Sequence, residues 1–325
     1  MKRRAFLATA LAASASPRMS AAQAPGTLAR VGWVTAQTPA SLAPYVTAFR
    51  AALAERGYVE GRNLMLEMRY GDDTPGRVPA LARELARRPV DVIVTQGAAT
   101  FEVRNLALPV PIVFTMSADP VAAGFVDDLA HPRGNMTGVT LMAVELNGKR
   151  LELLRELVPR LRRVAVIGNP EHPGAQLERA FSEEAGRGLG IAIDYVPTPT
   201  AHALARALQG IALSAPQAIS LLSDGFAVQH RQRVIDFATD LRVPVISGWP
   251  VFAQSGALCT YGPRLAESYR RLAYFVDRIL KGARPADLPI ERPTTFELVI
   301  NVKAAKALGV AVAPSLLVRA DDVIA

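Results

Sequence analysis

Residues 111–154 read PIVFTMSADPVAAGFVDDLAHPRGNMTGVTLMAVELNGKRLELL. Ile112–Met116 is a continuous apolar run and predicts a strand buried on both faces. The polar loop Ser117-Ala118-Asp119-Pro120 follows at once. A short helix is expected next, then a Gly/Asn/Thr-rich turn, then an amphipathic helix from about Leu146. A loop that leaves the carboxyl end of a buried strand lies where open α/β sheets bind their ligands.

The same alternation extends in both directions. Upstream, Arg30–Thr35 reads as a strand, and a helix from about Leu42 to Arg56 stops at Gly57, a C-cap glycine. Leu64–Tyr70 alternates apolar and polar, as a half-buried strand does. Pro79–Arg88 is helical, Asp91–Thr95 is a continuous apolar strand, and Gly97-Ala98-Ala99-Thr100 opens a further helix. Downstream, strands at Arg163–Ile167, Ile191–Val196, Ala218–Leu222 and Pro244–Ser247 alternate with helices near 175–189, 201–208 and 227–241. Such alternation predicts an α/β chain of two doubly wound parallel-sheet lobes. Right-handed crossovers put every post-strand loop on one edge of its sheet.

Composition bounds the function. Of 325 residues, 50% are hydrophobic and 20% charged, enough for two lobes with sizeable cores. The formal net charge is +8, and Lys2, Arg3, Arg4 and Arg18 carry four of those charges within the first 22 residues, where there is no acid. The modest remainder, with no Lys/Arg run interleaved with aromatics, argues against nucleic-acid binding. Lys2-Arg3-Arg4, the apolar stretch Ala5–Ala15 and the small residues before Gln23 have the layout of an export signal, with cleavage expected after Ala22 or Ala24. Arg3-Arg4-Ala5-Phe6-Leu7 resembles a twin-arginine motif, so Tat and Sec export both stay open. The one cysteine, Cys259, lies in an apolar run and reads as a small buried hydrophobe; no cysteine follows the leader to carry a lipid.

Catalytic signatures are absent: no G-x-S-x-G, Walker A or H-E-x-x-H occurs. His131, His172, His202 and His230 are scattered without metal-ligand spacing and read as surface or loop residues. Gly186-Arg187-Gly188-Leu189-Gly190 ends a helix and precedes a strand, the reverse of a dinucleotide loop. No enzyme, metal or cofactor is expected. The polar post-strand loops converge instead: Thr35-Ala36-Gln37, Gly97-Ala98-Ala99 and Ser117-Ala118-Asp119 on one lobe, Asn169-Pro170, Ser223-Asp224 and Ser247-Gly248-Trp249 on the other. Helix N-termini there would hold a carboxylate, small residues would admit a ligand to the backbone, and Asp119 or Asp224 would take an ammonium. The same Ser, Asp and Asn types also serve as helix caps, and Trp249 is either a stacking platform or a hinge-packing residue.

Several collinear motifs carry a family resemblance. Gly57-Tyr58-Val59-Glu60-Gly61-Arg62-Asn63, Val90–Val94, the DPV…GN.TG…KRLELL run and the segments Tyr274–Pro289 and Leu316–Ile324 resemble the substrate-binding proteins of an ABC-transporter family with tryptophan- and tyrosine-binding members. The resemblance implies a type I periplasmic binding protein with two hinged lobes. It places residues 27–140 with about 256–292 in one lobe, and 141–255 with about 293–325 in the other. Tyr261 resembles the tyrosine of the family's SYG segment near the inter-lobe crossing. The implied function is an exported, monomeric periplasmic protein that binds an amino acid or another small carboxylate and passes it to an inner-membrane permease. A sensing protein that presents its solute to a receptor is the alternative. Ser247 where the family has tyrosine, and Pro250-Val251 where it has an Arg-Glu pair, set this chain apart near the expected pocket.

Overall fold

The computed structural model describes residues 28–325 apart from Asp73 and Ala143. The expected export signal, residues 1–22, therefore lies outside the described residues.

The first lobe is built from β1 (Ala29–Thr35), α1 (Pro39–Glu55), β2 (Leu64–Tyr70), α2 (Val78–Ala86), β3 (Val92–Gln96), α3 (Ala98–Arg104), β4 (Ile112–Met116) and β5 (Met136–Thr140). The expected short helix after Asp119 is instead a hydrogen-bonded turn, in which Phe125 N–H donates to the Pro120 carbonyl at 2.8 Å and Gly124 takes φ +66°. The second lobe follows with α4 (Leu146–Leu157), β6 (Arg163–Gly168), α5 (Ala175–Leu189), β7 (Ala192–Pro197), α6 (Ala201–Ser214), β8 (Ala218–Leu221), α7 (Gly225–Asp240), β9 (Val245–Ser247), α8 (Pro250–Gln254) and β10 (Cys259–Pro263). The chain then returns as α9 (Leu265–Leu280) to the first lobe. It ends as β11 (Phe296–Asn301), α10 (Val302–Leu308), α11 (Pro314–Arg319) and β12 (Asp322–Ile324) on the second.

The first sheet has the order β2-β1-β3-β4-β5 and is parallel throughout. The second runs β12-β11-β10-β9-β8-β6-β7, with β11 antiparallel to β10. Both sheets carry helices on both faces. In the first, Trp33 packs edge-on to Phe49 of α1, with ring centroids 4.9 Å apart, and lies parallel to Tyr269 of α9; Val34, Ile93 and Ala99 pack beneath α2 on the other face.

One boundary differs from the expectation. The resemblance places residues from about 256 in the first lobe, yet β10 lies in the second sheet, parallel to β9 in the register Cys259↔Ile246. Only five helical residues (α8) separate β9 from β10, so this short β-α-β unit closes within one sheet, and Leu258 and Cys259 complete its core. The chain crosses after Pro263, and α9 with the segment up to Glu291 joins the first lobe.

The crossings are braced against one another. Glu291 runs beside β5, where it accepts from Thr140 N–H and donates to the Gly138 carbonyl, both at 2.9 Å. Its carboxylate takes a two-pronged ion pair from Arg271, each contact 2.6 Å. Gly138 is required here: its φ is +153°, and a Cβ would fall inside the Phe114 carbonyl.

Candidate functional site

In an open α/β sheet the ligand crevice forms at the carboxyl ends of the strands where the order reverses. In the first lobe that point lies between β1 and β3; in the second, between β6 and β8. A polar pair lies at each.

At the first switch point, Gln96 at the end of β3 is buried. Its Oε1 accepts the indole N–H of Trp33 at 2.7 Å, and its Nε2 donates to Thr35 Oγ1 and, at 3.1 Å, to Gln37 Oε1. Thr35 also accepts the Gln37 N–H at 2.9 Å. One buried amide thus fixes Thr35 and Gln37 together. Gly97 opens α3 at φ +57° and donates to the Thr115 carbonyl. Ala98 is exposed, while Ala99 packs into the core beneath α2, away from the crevice.

At the second switch point, Asn169 and Asp224 line the same small void, and Asp224 caps α7 by accepting the Ala227 N–H at 2.6 Å. Ser223 Oγ accepts the Gly248 N–H at 2.9 Å and lies 3.1 Å from Ser247 Oγ. Burial pushes the Asp224 carboxyl above its ordinary value, and the charge of His172 opposes this. Asp119, on the first lobe, holds the Val121 and Ala122 N–H groups at 2.8 and 3.2 Å. Asp119, Asn169 and Asp224 therefore all do capping or turn-closing work.

The two lobes meet at Ser117, whose Oγ lies 2.9 Å from Nε2 of His172. Trp249 is not part of this meeting; it packs on the cluster around Phe252 and Val245. Tyr261 offers its carbonyl to Arg150 Nε at 2.8 Å, and its ring packs on the second-lobe core. The void at Asn169 and Asp224 is about 10 Å³, and the one at Asp119, Thr140, Met142 and Arg292 about 20 Å³, room for a water and not for a solute. Among the described residues no group of three or more His, Cys, Asp or Glu is placed to hold a metal, and no helix is long and apolar enough to cross a membrane.

A family model described as ABC transporter substrate binding protein matches residues 36–324. The chain belongs to this family. It is a family of substrate-binding proteins and not of enzymes. Among its relatives, a tyrosine-binding protein of Clostridioides difficile is 23% identical over 80% of this chain and 75% of its own length. Among solved structures, a conserved domain protein of Vibrio cholerae is 25% identical with a TM-score of 0.82 over 91% of this chain and all of its own. A domain from Streptococcus pneumoniae in complex with L-Trp is 21% identical, with a TM-score of 0.83 over 92% of this chain and all of its own. The ligand-free, open form of a Clostridium difficile substrate-binding protein with adhesive properties is 21% identical, with a TM-score of 0.71 over 91% of this chain and 99% of its own. The fold is that of type I periplasmic binding proteins.

Three features of this substrate-binding protein escaped the sequence reading. Gln96 and Trp33 sit inside an apolar strand pattern, and nothing local marks their pairing. His172 lies in a loop, as read, but it is part-buried at the lobe contact and not on the free surface; burial pushes its imidazole below its ordinary value against the pull of Asp224. Arg150 is buried, with its guanidinium held by the Tyr261 carbonyl and Asn147 Oδ1, and the charge of Glu178 lies close enough to act on it. Burial lowers Arg150 to about 10 and raises Glu178 to about 7, each partly offset by the other's charge. Arg150 did leave a signal: it stands four residues from both Leu146 and Leu154, on the buried stripe of α4.

Proposed function

We propose that this chain is the exported solute-binding component of an ABC importer. It binds an amino acid or another small carboxylate between its lobes and delivers it to a membrane permease. The observation that carries this reading is that the polar pairs Gln37–Gln96 and Asn169–Asp224 occupy the switch points of two facing sheets. The tyrosine-binding relative and the L-Trp complex support an amino acid as the solute. The higher TM-score with the complex than with the open form supports a closed arrangement of the lobes here. Since the voids at the crevice are water-sized, a solute enters when the lobes part and is enclosed by hinge closure.

The ligand contacts we assign are the rim groups of Thr35, Gln37, Gly97 and Ala98, with Asp119, Asn169, Ser223 and Asp224 holding the backbone that meets the head group, while Ser117 faces His172 of the other lobe. Micromolar affinity needs about −8 kcal/mol, within reach of a few charge-assisted hydrogen bonds and apolar burial. Isothermal titration with the twenty amino acids and a set of small carboxylates, with small-angle scattering to read closure, tests the reading. A solute that both binds and shrinks the radius of gyration is expected; no binding and no compaction with any of them opposes it.

A further inference from the structure

The contact between Ser117 and His172 joins two loops that are each held rigid within their own lobe. On the first, Asp119 fixes the turn that follows it, and Thr140 Oγ1 donates to the Ala118 carbonyl at 2.9 Å. On the second, Asn169 Oδ1 accepts the Glu171 N–H at 3.0 Å, His172 N–H donates to the Asn169 carbonyl at 3.1 Å, and the His172 carbonyl accepts from Ala175 at the start of α5 at 2.9 Å. Neither loop needs the other in order to form.

They touch at a second point. Gly174 takes φ +94°, and a Cβ built on it would lie 2.9 Å from Met142 Sδ and 3.5 Å from the Asp119 amide nitrogen. The second lobe's backbone therefore lies directly against the first lobe and its crossing segment. His172 is part-buried, and its Nδ1, shut away from solvent, has no hydrogen-bond partner among the described residues. A buried imidazole satisfied at one nitrogen makes a weak contact, suited to one that forms and breaks repeatedly.

Resting on the solute-binding reading above, we propose that Ser117 and His172 form a latch between the lobes, with Gly174 as the bare surface that lets them close, and that this latch sets how long a solute is retained. The two are positioning residues: they act through the lobe–lobe equilibrium and not through the chemistry of the solute. A ligand's affinity depends on the fraction of protein in the binding-competent state, and loss of a contact made in the closed state appears mainly in the rate of release.

The test uses the mature chain with spin labels at Thr47→Cys and Leu213→Cys, both exposed and on opposite lobes; the native Cys259 is buried and does not compete. Inter-lobe distances are measured for the parent, Ser117→Ala, His172→Ala and the double variant, with thermal unfolding as a check on folding. The expected result is a shift to longer distances in each single variant, no further shift in the double variant, and recovery with Ser117→Thr and His172→Gln. With a solute that binds the parent, the release rate should rise about five- to tenfold while the association rate stays within about twofold. Gly174→Val should shift the distances outward by sterics alone. Unchanged distances in Ser117→Ala and His172→Ala would overturn the latch even if solute binding is intact. A parent that binds no solute would count against the functional reading, and the distances would still decide the latch.

Discussion

Gln96 Nε2 lies 3.1 Å from Gln37 Oε1, across the strand reversal of the first sheet. Since the other end of the Gln96 amide is held by the Trp33 indole at 2.7 Å, the core of the lobe and the rim of the crevice share one side chain. Gln96→Ala would leave a buried indole N–H without a partner, at about 1–3 kcal/mol. Urea unfolding of Gln96→Ala should show this loss together with weaker solute binding, whereas Gln37→Ala should weaken binding with stability changed by under about 0.5 kcal/mol.

Asp119 separates two roles that the sequence left joined. Its Oδ1 closes a turn, and Asn preserves that acceptor while removing the charge. If the charge meets a solute ammonium, Asp119→Asn should weaken an amine-bearing solute more than tenfold at an unchanged melting temperature. Equal affinity in titration calorimetry would restrict Asp119 to the turn.

The doubly wound lobes could be read from the chain because strand and helix periodicities are local, and Ile112–Met116 and Asp91–Thr95 state theirs plainly. The post-strand loops that carry Ser117, Asn169 and Asp224 were legible for the same reason. Contacts between loops far apart in sequence were not: Ser117 and His172 are 55 residues apart, and no local pattern encodes their approach. Trp249 follows β9 as a ligand residue would, and Tyr261 matches the tyrosine of the family's SYG segment, yet both rings pack on the core of the second lobe. The assignment of β10 failed because a five-residue α8 keeps it in the sheet it has just left.

Glu178 predicts a pH effect of definite sign. Burial, helped by the charge of Asp224 and opposed by Arg150, raises its carboxyl from 4.5 to about 7. Between those values the folded chain holds a proton that the unfolded chain has lost, so this group's contribution to stability falls as pH rises through the window. Glu178→Gln should abolish that fall, gaining on the order of 2 kcal/mol on the parent between pH 5 and pH 8. Urea midpoints of both proteins at the two pH values measure it; parallel changes would contradict the raised carboxyl.

Gly138→Ala should be among the most damaging single changes in the first lobe. The new methyl group would overlap the Phe114 carbonyl, and the φ of +153° is unsuited to alanine. β5 would have to leave β4 and loosen the Glu291 crossing beside it. A loss of more than about 3 kcal/mol, or failure to accumulate as folded protein, is expected; a melting temperature within 2 °C of the parent, roughly 0.5–1 kcal/mol, would contradict the packing described.

The central claim is that the crevice between the lobes holds a small solute. Native mass spectrometry of the full chain, purified without denaturation, tests it most directly, followed by a thermal-shift panel of amino acids and small carboxylates if the protein is empty. The account predicts a reproducible adduct of amino-acid or carboxylate mass, or a panel solute that adds about 4 kcal/mol at a thousand times its dissociation constant. An empty protein with a flat panel would contradict it.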